Sequence, residues 1–413
     1  MKVLLINSGL RASNWGLQAA SQSLLDIMQQ AAFPQRLETR TLSNDDLYLK
    51  LGFGPIFLAR FLQDILHPQV LEWEVIQGLN SRKFQVPQTS DLMEEYGRKF
   101  LLDRRTKPMD LKRLIQWADV VVYQGEGSAY HNNYSARAAF YLLWVAKTIF
   151  GKKTVFLNGS LGVSVDFPVL AGFAQRVLSD ADVFAVREPA SKRMIEKLAN
   201  QPVDMIPDSA FLYPYVSRRG EGPDKSDVGN GYHVVSGGML PILPRGELRA
   251  APFAQFCKSL LDSGRKLVFL GIDPEDQKLR RLATELGQSF FGPETDLASV
   301  LETIRKSDGL ISGRYHHLIF ALAQGVPVLP FATTSQKIRG LLELYPGLTP
   351  PMLDPTSLWR DQELARDHLD RQDRNLATLS QDIQARSDAL IQKTKEDYLR
   401  ILSSVFSMDA EVL

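Results

Sequence analysis

Between residues 311 and 331 the sequence reads ISGRYHHLIFALAQGVPVLPF, an arginine and two adjacent histidines set between apolar runs. The chain has six histidines in all, so a side-by-side pair in a stretch that otherwise reads as buried scaffold asks for a reason. GLIS has the character of a short buried strand. HHLIFALAQG has helical length, with Gly325 suited to the C′ position and Pro327 just beyond it. Arg314 and His316 then fall at the carboxyl end of a strand and the start of a helix, the edge at which open parallel sheets bind ligands. A helix start presents unpaired N–H groups and a partial positive charge. Arg314 adds a planar fork for phosphate or carboxylate oxygens, and a histidine moves protons near neutral pH. The residue types point to anion binding coupled to proton transfer. Two structural readings compete with this one: the histidines as a cap or a satisfied interior pair, and Arg314 as a tie between domains.

The elements that must position these groups follow a steady rhythm of short apolar run, turn and helical period. KVLLIN (2–7) precedes a helical stretch from about Gly16 to Ala31, and DVVVYQG (119–125) precedes YSARAAFYLLWVAKTIFG. KTVFLNG (153–159), ADVFAV (181–186) and VDMIPD (203–208) continue the series. Strands alternating with helices imply parallel βαβ units. Residues 214–231, rich in Gly, Pro and charge, read as a linker, after which YHVVSGG, RKLVFLGI, DGLIS and VPVLPF restart the rhythm with helices around 250–263 and 274–287. The expected fold is α/β, two Rossmann-like parallel-sheet domains facing a cleft. The N-terminal α/β domain spans 1–213 with a helical insertion at about 45–105, the linker 214–231, and the C-terminal α/β domain 232–369. A charged helical tail, 370–413, lies on the surface or returns to the first domain. Within the insertion, residues 45–79 carry many large apolar side chains around two glycines. They read either as helix packed on the first domain or as a patch for a lipid-linked acceptor at a membrane surface.

Composition narrows the classes. At 413 residues the chain has room for two domains of roughly 100–200 residues each, and 44% apolar with 23% charged residues is a globular balance. A formal net charge of +1 offers no bulk attraction for nucleic acid, so any anion site must be local. The single cysteine, Cys257, fits a reducing compartment and reads as a packed core thiol. The apolar run at the N-terminus is too short for a secretory signal, and no stretch reaches the ~20 apolar residues of a membrane span. The expected location is the cytoplasm, at the inner face of the membrane if the acceptor is lipid-linked. A metal site is not expected, because adjacent helical residues do not readily share one ion. Neither a phosphate-binding Gly-x-x-x-x-Gly-Lys-Ser/Thr loop nor a Gly-x-Ser-x-Gly elbow occurs.

Four stretches taken together resemble the polysaccharide pyruvyl transferase family, whose members are similar to two-domain GT-B glycosyltransferases. They are Arg314-Tyr315-His316 with LIFALAQGVPVLPF and the downstream Lys337; Arg187-Glu188-Pro189-Ala190-Ser191; PDSAF (207–211); and GEGSAYH from Gly125 to His131, where Tyr130 replaces one histidine of a family variant. The N-terminal loop departs from the family's Asn-x-Gly-Asp, reading Asn14-Trp15-Gly16-Leu17-Gln18 with no aspartate. The resemblance implies a reaction in which the pyruvyl group of phosphoenolpyruvate is carried onto two hydroxyls of a sugar, giving a cyclic ketal and phosphate. It implies phosphoenolpyruvate as co-substrate with no other cofactor, and a saccharide acceptor, free or lipid-linked.

On that basis the phosphoenolpyruvate oxygens are expected on Arg187, Arg314, Lys337 and the helix start at His316–His317. His316 is expected as general acid or base with Glu126 as the second proton-handling group, and Asn14 and His131 on the acceptor side. Each has a plainer reading. Arg187 is a structural partner of a carboxylate such as Asp208; Lys337 is a solvated first-turn residue; Glu126 bonds a neighbouring backbone loop; and Asp208 is a cap or interdomain tie. His317 is packed, since helix neighbours point about 100° apart. Two other functions use the same architecture. One is a GT-B nucleotide-sugar glycosyltransferase, with GPETDLASV (292–300) contacting ribose and base. The other is a catalytically retired saccharide-binding member of the family.

Overall fold

The computed structural model describes residues 1–10, 12–43, 86–104, 106–126, 134–161, 168–214, 231–238, 250–272, 276–333, 335–355 and 358–407. Two all-parallel sheets organise them. The first holds β1 (Lys2–Ile6), β2 (Glu38–Leu42), β3 (Val120–Gln124), β4 (Lys153–Gly159), β5 (Val183–Val186) and β6 (Asp204–Met205), in the order β2-β1-β3-β4-β5-β6. The second holds β7 (Tyr232–Ser236), β8 (Lys266–Leu270), β9 (Ser289–Phe291), β10 (Gly309–Ser312) and β11 (Val328–Pro330), in the order β11-β10-β7-β8-β9. In each sheet the strand order reverses direction once, between β1 and β3 and between β7 and β10. Those reversals open a crevice beyond the carboxyl ends of the strands.

The inner strands of each sheet read as apolar runs because both faces are covered, whereas the edge strand β2, ETRTL, is largely exposed. On the first sheet, Leu4, Ile6, Val121, Tyr123 and Phe156 pack under the helix Tyr134–Trp144. The alternate residues Val3, Leu5, Val120, Val122, Val155 and Leu157 form the opposite face. On the second sheet, Val234, Leu270, Leu310 and Val328 back the helix Tyr315–Ala323. Val235, Phe269, Ile311 and Leu329 back the helices Ala250–Asp262 and Leu358–Arg374, with Cys257 buried among them. Gly325 closes the histidine-bearing helix with φ of 72°, a left-handed conformation that favours glycine.

The expected run 203–208 is strand only at Asp204–Met205. Pro207 has no N–H for a ladder, and Asp208 turns away to cap the 3-10 helix Ser209–Leu212, its carboxylate accepting from the Ala210 N–H. The expected tail is two helices, Leu358–Arg374 and Leu376–Phe406. The longer one joins both halves. At one end Ser387 donates to the Leu322 carbonyl of the histidine helix (2.6 Å). At the other, Tyr398 donates to Asn158 Oδ1 (2.5 Å), and Ile401, Leu402, Val405 and Phe406 cover the first sheet beside Val3 and Leu5. Of the expected insertion, residues 45–79 lie outside the described residues; within the rest, a helix spans Met93–Leu102. Nearly all of the expected linker also lies outside them. Among the described residues no helix is long and apolar enough to cross a membrane.

Leu402, fully buried on the first sheet's face, gives a direct check. Leu402→Ala should lower unfolding free energy by about 2–5 kcal/mol in a urea titration, whereas Leu364→Ala, at an exposed position, should change it by less than about 0.5 kcal/mol.

Candidate functional site

The first half of the site is built from strand ends. After β1, Asn7 takes a left-handed conformation (φ 65°), and its side-chain amide donates to the carbonyls of Gln124 (2.7 Å) and Glu126 (3.0 Å). This clamp fixes the turn that carries Glu126 out of β3. Gly125 is required there, since a Cβ would meet the Phe156 ring and the Gly159 backbone at 2.4–2.7 Å. From the end of β5, Arg187 turns inward and Glu188 starts the helix Pro189–Ala199. The second half is built alike. Ser236 and Ser312, at the ends of β7 and β10, share a hydrogen bond, and Ser312 Oγ also accepts the Arg314 N–H (2.8 Å). Gly238 (φ 95°) lets the turn after β7 lie against Gly313, where a Cβ would come within 2.6 Å of backbone. Arg314 is the N-cap of the helix that carries His316 and His317.

The two halves meet at His316. Its Nδ1 stands 3.2 Å from Glu126 Oε1 and its Nε2 stands 3.6 Å from Asp208 Oδ2. The Glu126 contact is within hydrogen-bond reach, whereas the Asp208 separation is a longer electrostatic contact. Beneath it, Arg187 donates through Nη1 to Asp208 Oδ2 (2.6 Å) and through Nε to Ser160 Oγ (2.6 Å), with its guanidinium 4.2 Å from the centre of the Tyr315 ring. Ser160 in turn donates to Glu188 (2.8 Å), which also accepts from Ser191. Arg187, Asp208 and Glu188 are each almost wholly buried.

Such burial is sustained by mutual pairing. Burial alone would raise the Asp208 carboxyl, but Arg187, His316 and the Ala210 N–H hold it well below the usual range. Burial works against the Arg187 charge, and Tyr315, Asp208, Glu126 and Glu188 more than offset it. For Glu188 burial prevails, raising its carboxyl despite Arg187 and the two serine hydroxyls. Lys337, at the start of the helix Lys337–Leu342, is lowered to about 8 by burial and by Arg187 and Arg314.

The expected residues divide accordingly. Glu126, Arg314, His316 and Lys337 come together with Arg187 and Asp208. Arg187 is buried and ion-paired to Asp208 (2.6 Å), the placement of the plainer reading. Lys337 is half-buried and within electrostatic reach of Arg187, Glu126, Arg314 and Glu188, not a solvated first-turn residue. Asp208 is both cap and interdomain tie. His317 points elsewhere. Its buried ring stacks on Trp15 (centroids 5.6 Å apart), and burial with Arg314 and His316 nearby lowers it to about 3. It stays neutral, and its side chain packs instead of facing the cleft. Asn14 caps the helix Trp15–Ala31 by accepting the Leu17 N–H (3.1 Å). His131 lies outside the described residues.

Sequence reasoning missed Asn7, Tyr315 and Asp276. Asp276 is buried at the end of the turn after β8, where its Oδ2 accepts from Arg314 Nη2 and from the Ile272 N–H, both at 2.8 Å. Its signal, one aspartate in GIDPEDQ following a strand, does not separate it from its acidic neighbours. Among the described residues no group of three or more His, Cys, Asp or Glu side chains is arranged to hold a metal ion.

Solved structures share this two-sheet plan. A putative UDP-N-acetylglucosamine 2-epimerase from Listeria monocytogenes superposes with a TM-score of 0.52 at 14% identity, over 95% of this chain and 94% of that one. UDP-GlcNAc 2-epimerase from Neisseria meningitidis, bound to UDP-GlcNAc, gives 0.52 at 10% identity over 96% and 100%. The N-terminal domain of trehalose-6-phosphate phosphatase from Candida albicans gives 0.50 at 10% identity over 98% and 99%. At such identities the likeness is of fold, and the fold is GT-B-like. The sequence profile of polysaccharide pyruvyl transferases matches residues 58–335, and the chain belongs to that family. No curated protein matches its sequence.

Removing one partner of the buried pair should be costly. Asp208→Asn is expected to lower stability at neutral pH by about 3–5 kcal/mol, because Arg187 loses its closest counter-ion. A carboxylate held below its unfolded value contributes stability that is complete above that value, about pH 4, and is lost as pH falls further. Denaturant titrations of wild type and Asp208→Asn should therefore differ by a constant amount from pH 5 to 7, with the gap closing only below about pH 4.

Proposed function

We propose that the protein transfers the pyruvyl group of phosphoenolpyruvate onto two hydroxyls of a saccharide, forming a ketal and releasing phosphate. The observation that carries this reading is the placement of His316. One imidazole faces Glu126 and Asp208, beside the cations Arg314 and Lys337. The reaction needs an anion grip, an acid for C3 and a base for hydroxyls, and these groups match those needs. Arg314 and Lys337 hold the phosphate and carboxylate oxygens. His316 gives a proton to C3, which becomes the methyl group. A sugar hydroxyl adds at C2, the bond from C2 to the phosphate oxygen breaks, and the second hydroxyl closes the ketal. Of the two hydroxyl protons released, one restores His316, with Glu126 as its partner, and the other leaves with phosphate. Arg187 acts through Asp208, fixing its charge below the ring. Family membership supports a transferase of this type.

The glycosyltransferase alternative relies on residues 292–300 for nucleotide contacts. Here Glu294 pairs with Arg280 (2.8 Å), Asp296 caps the helix Leu297–Arg305 by accepting the Ser299 N–H (2.9 Å), and the Thr295 carbonyl accepts from Trp15 (2.9 Å).

Calorimetric titration with phosphoenolpyruvate, UDP and CMP tests the reading. Saturable binding of phosphoenolpyruvate alone, reduced at least about tenfold in Arg314→Ala, is the expected result; nucleotide binding without it would sink the proposal. Binding should also depend on pH through Lys337, since a bound anion favours its charged form. Affinity is expected to be level below about pH 8 and to fall up to ~tenfold per pH unit above it, with this slope lost in Lys337→Met.

A further inference from the structure

Gly16 is the second residue of the helix Trp15–Ala31, a position where alanine is ordinarily better than glycine. Its φ does not fall in the left-handed region, so the backbone there does not call for glycine. Space does. A Cβ on Gly16 would lie 2.2 Å from His316 Cγ and Nδ1 and 2.4 Å from His316 Cβ, and Nδ1 is the atom that faces Glu126. Trp15, one residue earlier, stacks on His317 and donates through Nε1 to the Thr295 carbonyl at 2.9 Å. The step is locked at its own base as well, by the Asn14 cap and by Leu17. The Leu17 side chain fills the space beside Gly9, where a Cβ would be 1.9 Å from Leu17 Cγ.

We propose that Trp15 and Gly16 are positioning residues for the histidine helix. Trp15 seats that helix through His317 and Thr295, and Gly16 sets the place of the His316 imidazole between Glu126 and Asp208. The Asn-x-Gly step then contributes to the reaction by shape, a role that the missing aspartate after it leaves intact. The catalytic part of the inference rests on the function proposed above; the positioning part rests on geometry alone.

The test is a double-mutant cycle read by thermal unfolding, run beside kinetics. With His316 present, Gly16→Ala should lower Tm, because the imidazole must leave its rotamer or the helices must part. In His316→Gly, where ring and Cβ are both gone, the same substitution should raise Tm, as expected of alanine in an open helical site. A rise in both backgrounds, or equal shifts in both, would overturn the positioning role. In turnover of phosphoenolpyruvate, Gly16→Ala should reduce kcat on the order of 100-fold, the loss typical of a misplaced catalytic group, while leaving phosphoenolpyruvate affinity within about threefold of wild type. Unchanged kcat in a variant whose Tm falls would overturn the catalytic part. Wild type that neither binds nor turns over phosphoenolpyruvate would overturn the proposed function, with the Tm cycle still deciding the placement.

Discussion

The Arg187–Asp208 pair is the constraint around which the site is arranged. Neither charge tolerates burial alone, and each brings a different part of the chain with it. Arg187 arrives at the end of β5, and Asp208 from the turn that ends β6. Asp208 then reaches Nε2 of His316, a residue of the other sheet. The hydrogen bonds from Arg187 and the Ala210 N–H to Asp208 tie β5 to the 3-10 turn, and the 3.6 Å charge contact with His316 links both to the histidine helix. Ser160, Glu188 and Ser191 extend the same network outward along the first sheet.

Around this pair the halves carry opposite charge. The first sheet presents carboxylates at its strand ends, namely Glu126, Glu188 and Asp208, while the second presents Arg314, His316 and Lys337. Each half also holds one buried counter-ion that keeps its own side neutral enough to fold: Arg187 among the carboxylates and Asp276 against Arg314. The facing surfaces are therefore complementary before any ligand enters.

Much of this was legible in the sequence. The alternation of apolar runs and helical periods gives both parallel sheets, and Arg314, His316 and Lys337 are chemically conspicuous types at strand-to-helix junctions. Arg187 was legible by type but not by placement, since whether an arginine faces a cleft or an aspartate depends on where the turn after β6 puts Asp208. Other residues act through shape and have no chemical signature. Gly16 matters because it lacks a side chain opposite a ring some 300 positions away, Asn7 because a left-handed backbone aims its amide at the turn carrying Glu126, and Asp276 because one carboxylate among several in GIDPEDQ is the one turned inward. The strand expected at 203–208 shortened for a related reason. A proline and a capping aspartate override apolar content once the next element needs a start.

The long helix Leu376–Phe406 also bears on how the molecule comes into being. Its Tyr398, Ile401 and Leu402 share a core with Val3 and Leu5, residues separated from them by nearly the whole sequence. At ribosomal speeds of roughly 5–20 residues per second, the face of β1 emerges on the order of 20 s or more before its cover exists. During synthesis the helix Trp15–Ala31 can cover part of that face through Leu24, Ile27 and Met28, while the part that Tyr398, Ile401 and Leu402 share with it closes as a late, long-range event. The amino-terminal half therefore completes its packing only with residues from the carboxyl-terminal end of the described chain.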